Sequence, residues 1–354
     1  MKKRFKTLVC VLLILLVFLN GCTHKITLTK PMSDEITGTA AGIKKLAGVD
    51  NDASLLSRKD IFPAGSSVCD WTAFAFAISG VEEDYNTYLC SLADYVEIAM
   101  CEKGCLDKTK ATEYHRIAMT VLALGGDPTA FSKGADGKPV DLIELGTYNF
   151  DGDLGGQGLN GYIFALITLD IGNFAIPENA NYTRRDIVNA ILEACEPEGG
   201  FGLEKGAFDV DITAMAIQAL SPYYGSQNAI SIGVSPGEIA SAVDRSIERL
   251  ASVMTDNCTF VSYGSENVES TAQTIIALCS LGKDPTKEEM FKRGGRTIVD
   301  GMQSFLLPGN IYRHSTENFD GNLMSSEQAM LAQIALYKLN NGLGRLYSIQ
   351  LGEG

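Results

Sequence analysis

Asp211-Ile212-Thr213-Ala214-Met215-Ala216-Ile217-Gln218-Ala219-Leu220 is the stretch on which the fold turns. It opens on an acid and a Thr-Ala pair, is apolar on nearly every side and lacks proline and glycine. That pattern predicts a helix buried all round. The stretch also repeats. Glu269-Ser270-Thr271-Ala272-Gln273-Thr274-Ile275-Ile276-Ala277-Leu278 matches it closely, and Asp70-Trp71-Thr72-Ala73-Phe74-Ala75-Phe76-Ala77 is a third copy. Weaker copies begin at Glu113, Asn160 and Ser326. Starts near 70, 113, 160, 211, 269 and 326 imply a period of about 40–60 residues, the mark of an array of supersecondary units.

Between the marked segments lie helical patterns of another kind. Tyr182–Leu192 and Ile239–Leu250 carry apolar residues three and four apart with charge on the opposite side. Buried helices alternating with amphipathic ones make two layers, the first inside and the second outside. Glycine turns precede several inner helices, at Gly155-Gly156, Gly199-Gly200 and Gly264. No strand pattern stands out. Six inner and six outer helices in an all-α chain predict an α6/α6 toroid, closed so that no repeat exposes an apolar edge.

The chain begins with Lys2, Lys3, Arg4 and Lys6, then an apolar run from Leu8 to Leu19 that ends on Gly21-Cys22. A charged head, a short apolar stretch and a small-residue site make a secretory signal over residues 1–21. Leu19-Asn20-Gly21-Cys22 resembles the lipobox of bacterial lipoproteins. The resemblance implies cleavage before Cys22 and a diacylglyceryl group on its sulfur, so the protein is expected outside the cytoplasm, held to the cell membrane. Residues 22–57 are polar and poor in aromatics and read as a flexible tether with room for a short helix at its end. The toroid is expected over 58–350.

Removing residues 1–21 takes away four positive charges and no negative ones, so the net charge falls from -14 to -18. A domain this acidic is not expected to bind nucleic acid. Hydrophobic residues form 45% of the chain, enough for a large core. Of nine cysteines, Cys10 leaves with the signal and Cys22 is the lipid site, leaving an odd seven. Cys101 and Cys105 could close a small disulfide loop, whereas Cys195 and Cys279 read as core residues. Three histidines exclude a histidine-rich metal site.

Glu198-Gly199-Gly200-Phe201-Gly202-Leu203, running into Asp209-Val210-Asp211-Ile212-Thr213-Ala214, resembles a repeat of the terpenoid-cyclase and protein-prenyltransferase superfamily. Tyr114-His115-Arg116-Ile117-Ala118 leading to Leu124-Gly125-Gly126-Asp127-Pro128 is similar to a secreted bacterial branch of it, related to the cobalamin-carrier domain of intrinsic factor and transcobalamin. So are Glu269–Gln273 leading to Leu281-Gly282-Lys283-Asp284-Pro285, and Glu327-Gln328-Ala329. The resemblance covers residues 58–348. It implies the α/α-toroid fold and a ligand such as a corrinoid, and it raises the question of chemistry.

Asp209-Val210-Asp211-Ile212 invites comparison with the Asp-x-Asp-Asp motif of class II cyclases, in which a carboxylic acid protonates a polyene. Carried over by position, Asp211 would be the acid with Asp209 beside it, but Ile212 replaces the third aspartate. The plainer reading makes Asp211 a helix cap, since Asp70 and Glu269 share its register. Asp256-Asn257-Cys258 with His314 echoes the prenyltransferase zinc ligands, yet both ligands lie well before their inner helices, so no metal is expected. Asp151-Gly152-Asp153 could open a calcium loop, but Tyr162 stands where the closing glutamate belongs. The other polar residues near inner-helix starts, Asn160, Tyr162, Gln273, Glu327 and Gln328, should gather at one mouth of the ring. With Asp211 and Trp71 they form the expected ligand site.

These readings converge on a lipid-anchored extracytoplasmic protein whose toroid binds a bulky, partly apolar small molecule without chemistry and without a cofactor. A membrane transporter is a natural partner for such a carrier. The alternatives are an isoprenoid-processing enzyme using Asp211, and a protein-interaction scaffold.

Overall fold

Threonine and alanine recur at the inner-helix starts, where both are buried. Thr72, Thr213 and Thr271, with Ala73, Ala214 and Ala272, are fully buried. Each threonine hydroxyl is spent on backbone: Thr72 on the Val68 carbonyl at 2.8 Å, Thr213 on Phe201 at 2.9 Å and Thr271 on Asn267 at 2.9 Å. A β-branched donor can be buried there only because it is satisfied, and alanine beside it lets a neighbouring helix approach closely.

The computed structural model describes residues 31–349, so the signal segment and Cys22 lie outside the described residues. The helices are α1 (Asp34–Leu46), α2 (Ser67–Ser79), α3 (Tyr85–Lys103), α4 (Ala111–Ala123), α5 (Asn160–Ile171), α6 (Arg184–Glu193), α7 (Val210–Leu220), α8 (Gln227–Ser231), α9 (Pro236–Val253), α10 (Val268–Ser280), α11 (Ile298–Gln303) and α12 (Leu323–Asn340). Helices α2, α4, α5, α7, α10 and α12 pack each on the next, and α12 packs back on α2. That closed ring is the inner layer of an α6/α6 toroid. Each inner helix has an outer partner: α3 on α2, a π-helical turn at Glu144–Tyr148 on α4, α6 on α5, α9 on α7 and α11 on α10.

The sixth outer helix overturns one expectation. The partner of α12 is α1, from the stretch that reads as tether. Ser33 caps it by accepting from the Ile36 amide, and Ile36, Ala40 and Ile43 bury one face at helical spacing. Thr39 donates to Gln333 of α12 at 3.0 Å. Lys44 pairs with Glu83 at 2.7 Å and donates to the carbonyls of Asn51 and Ala53. The toroid therefore starts near residue 34, not 58. Without α1 the last inner helix would expose the face that all the others cover.

Outer helices carry ordinary start signals. Thr183 and Asp186 form a reciprocal capping box on α6, and α9 opens with Ser235 as cap and Pro236 in its first turn. The loop before α7 needs glycine. Gly199 and Gly200 have φ of +86° and +85°, and a Cβ on Gly199 would fall 2.4 Å from the Arg245 backbone. Short antiparallel ribbons also occur, which the sequence pattern does not reveal; one pairs Phe260–Ser262 with Ser265–Asn267. Cys101 and Cys105 are free thiols on either side of the Gly104 turn that ends α3. No helix among the described residues is long and apolar enough to cross a membrane.

Candidate functional site

Because the threonine of each Thr-Ala pair points into the protein, residues two before and two after it share another face. In α7 these are Asp211 and Met215, and in α10 they are Glu269 and Gln273. Met324 and Gln328 hold the same register in α12, where Ser326 stands for the threonine. These six side chains meet at the N-terminal mouth of the ring. With Ser262, Tyr263, Asn267 and His314 they line a cavity of about 280 Å³.

Glu269 is held at both oxygens. The Ser325 hydroxyl donates to Oε1 at 2.5 Å, and His314 Nδ1 lies 2.8 Å from Oε2. His314 reaches it through backbone pairing: the Val268 amide donates to the His314 carbonyl at 3.0 Å, and Asn267 bridges to Ser315.

Asp211 differs. Its Oδ1 is shielded from solvent and makes no well-formed hydrogen bond, and the Ser270 hydroxyl near it is likewise unpartnered. Burial pushes its pKa up to about 6; the Ser270 hydroxyl opposes the shift, and the charges of Asp209 and Glu269 add to it. Nor does Asp211 cap its helix. The cap is Asp209, which accepts from the Ile212 amide at 2.9 Å. Asp70, in the same register of α2, is no cap either. It pairs with Arg116 at 2.9 Å and accepts from the Tyr88 hydroxyl at 2.7 Å and the Gly65 amide at 3.0 Å. One position in the repeat thus carries a neutralised acid, an orphaned acid and a clamped acid.

Glu327 stands where α7 and α10 carry Ala214 and Ala272. It is 2% exposed, its Oε1 has no partner, and burial followed by the Glu269 charge pushes its pKa well above the carboxylate range. It lies behind the cavity wall rather than on it. Gln273 donates to Gln328 at 3.2 Å and accepts from Gln218 at 2.9 Å, forming an amide belt below the mouth.

Of the residues expected to surround the mouth, Asp211, Gln273 and Gln328 line it. Tyr162 does not. Its ring packs on Tyr182, 6.5 Å between centroids, and its hydroxyl lies 3.5 Å from Asp153. Asn160 starts α5 away from the wall, with its own Oδ1 shielded and unpartnered. Trp71 packs on Phe74 and Phe164, at 5.6 and 5.9 Å, outside the lining. Asp153 closes its own turn by accepting from the Gly155 amide at 2.8 Å. Cys258 is buried, with Sγ 3.3 Å from the Arg296 carbonyl, while His314 belongs to Glu269. Among the described residues no group of three or more His, Cys, Asp or Glu is placed to hold a metal ion.

Sequence reasoning missed Glu269 as a wall residue, although its register with Asp211 signals it. His314 gives no such signal, because only the pairing of two loops brings it there.

No family model matches the chain, and no curated protein matches it. Among the solved structures that are similar to the chain, two match over nearly their whole length. One is protein geranylgeranyltransferase-I of Candida albicans, complexed with GGPP. It has a TM-score of 0.51 and 9% identity over 86% of this chain and 91% of that one. The other is the unsaturated glucuronyl hydrolase of Bacillus sp. GL1, responsible for the degradation of glycosaminoglycan. It has a TM-score of 0.54 and 12% identity over 90% and 98%. At these identities the likeness shows the α/α-toroid fold alone.

Proposed function

We propose that this chain is a lipid-anchored extracytoplasmic protein whose toroid binds a small polar ligand at its N-terminal mouth. The observation that carries the reading is Asp211 Oδ1 on the wall of a cavity, a shielded acceptor that makes no well-formed hydrogen bond even with the Ser270 hydroxyl near it. Buried acceptors are rarely left so, and a hydroxyl or ammonium of a ligand would satisfy this one. The cavity, about 280 Å³, sits at the small end of ligand pockets and suits a sugar ring or an amino acid. A corrinoid would lie mostly outside it.

A second reading is acid–base catalysis, favoured by one specific pairing. Asp211, with a pKa of about 6, can carry a proton at mildly acidic pH across the cavity from the clamped Glu269. Unequal carboxyl groups around one cavity are what hydrolysis needs. The glucuronyl hydrolase neighbour, responsible for the degradation of glycosaminoglycan, has such a fold. Isoprenoid chemistry fits less well, because Tyr263 is the single aromatic side chain on the wall and a carbocation needs several aromatic faces.

The two readings have opposite pH signs. A carboxylate that accepts from a ligand works above about pH 6, so affinity should rise about tenfold from pH 5 to 7.5 in wild type and stay flat in Asp211→Asn. A proton donor works below about pH 6, so turnover should fall with rising pH and vanish in Asp211→Asn. Mass spectrometry of molecules that copurify with the domain supplies the ligand for calorimetry. Binding that is the same in both proteins at both pH values would refute the first reading, and turnover that survives in Asp211→Asn would refute the second.

A further inference from the structure

A second and larger cavity, about 460 Å³, opens at the other end of the ring, among the C-termini of α5, α7 and α10. The segment after α12 forms one side of it. Arg345 Nε donates to the Ser280 carbonyl at 3.2 Å and Nη2 to the Ser221 carbonyl at 3.4 Å, at the ends of α10 and α7. Among the described residues its Nη1 meets no acceptor.

Two acceptors without a well-formed hydrogen bond belong to residues of this wall. Gln218 divides the two cavities. Its Nε2 donates toward Gln273, while its Oε1, on a residue only 3% exposed, has no donor. Asp170 accepts from Arg184 Nε at 2.8 Å on Oδ1; its shielded Oδ2 makes no well-formed hydrogen bond, with the Tyr223 hydroxyl beside the carboxyl and the Arg345 charge acting on it. The helix C-termini add further negative character, which favours a cation here. Arg345 at the rim offers the opposite charge. An ammonium deep in the cavity and a carboxylate at the rim would satisfy all three groups.

We propose that this cavity is a second ligand site, selective for a small zwitterion of the α-amino acid type. Its ammonium donates to Gln218 Oε1 and Asp170 Oδ2, and its carboxylate accepts from Arg345. This site uses none of Asp211, Glu269 or His314, and meets the mouth cavity only through the Gln218–Gln273 hydrogen bonds.

The test uses the mature chain and each standard L-amino acid in turn, by thermal shift and then calorimetry. At least one should raise the melting midpoint at about 10 mM, a range that detects even millimolar affinity. Its N-acetyl and its carboxamide derivatives should each bind about tenfold or more weakly, the scale of one lost charged hydrogen bond. Arg345→Gln should weaken binding similarly and Arg345→Lys should restore part of it, with the unliganded midpoint of each variant as the control for folding. The proposal fails if no amino acid shifts the midpoint, if either derivative binds as well as its parent, or if Arg345→Gln binds normally.

Discussion

Asp211 shows how one carboxylate can cost stability for the sake of a site. Its folded pKa of about 6 lies above the 3.8 of an unperturbed aspartate. Between those values the unfolded chain has released its proton while the folded chain still holds it. Stability therefore falls as pH rises from about 4 to 6 and stays lower above that. Asp211→Asn removes the penalty. At pH 7.5 the variant should be more stable than wild type by something on the order of 1–3 kcal/mol, and near pH 3.5 the difference should vanish. An asparagine variant no more stable at pH 7.5 would show that the carboxylate is well solvated. Asp70, Asp211 and Glu269 look alike in sequence. Their roles part because Arg116, His314 and Ser325, each some 45 to 56 positions away, reach two of them and not the third.

Among the helices, α1 decides where the domain begins. Its apolar residues fall at 36, 40 and 43, a pattern of only two turns inside a polar stretch, so composition hides it. What makes it part of the fold is α12, nearly 300 positions later, which has no other outer partner. A chain starting at residue 58 should lose that cover, together with the Lys44–Glu83 pair buried beneath it. Such a chain should fail to give a cooperative thermal transition, since removing one partner of a buried pair alone costs about 3–5 kcal/mol. A chain starting at residue 31 should melt as the mature protein does. Equal melting of the two truncations would mean that α1 is dispensable.

For the whole molecule, the ring places two cavities at opposite ends of one lumen, with the Gln218–Gln273–Gln328 belt between them. The proposed lipid anchor at Cys22 predicts that Cys22→Ala moves the protein from the membrane to the soluble fraction of a cell extract. A variant that stays with the membrane would refute the lipid anchor at Cys22.

The repeated Thr-Ala helices, their amphipathic partners and the period between them were enough to determine the toroid. Burial of a helix on all sides is a local property of its residues, and six copies of it have few ways to close. The sequence also pointed to Asp211, Gln273 and Gln328 as residues near inner-helix starts that gather at one mouth of the ring. Only the tertiary structure decided which acid is paired and which is left open, that His314 belongs to the site and Tyr162 does not, and that α1 completes the outer layer. Each of those outcomes depends on contacts between segments far apart in the chain, and no local pattern encodes a partner's position.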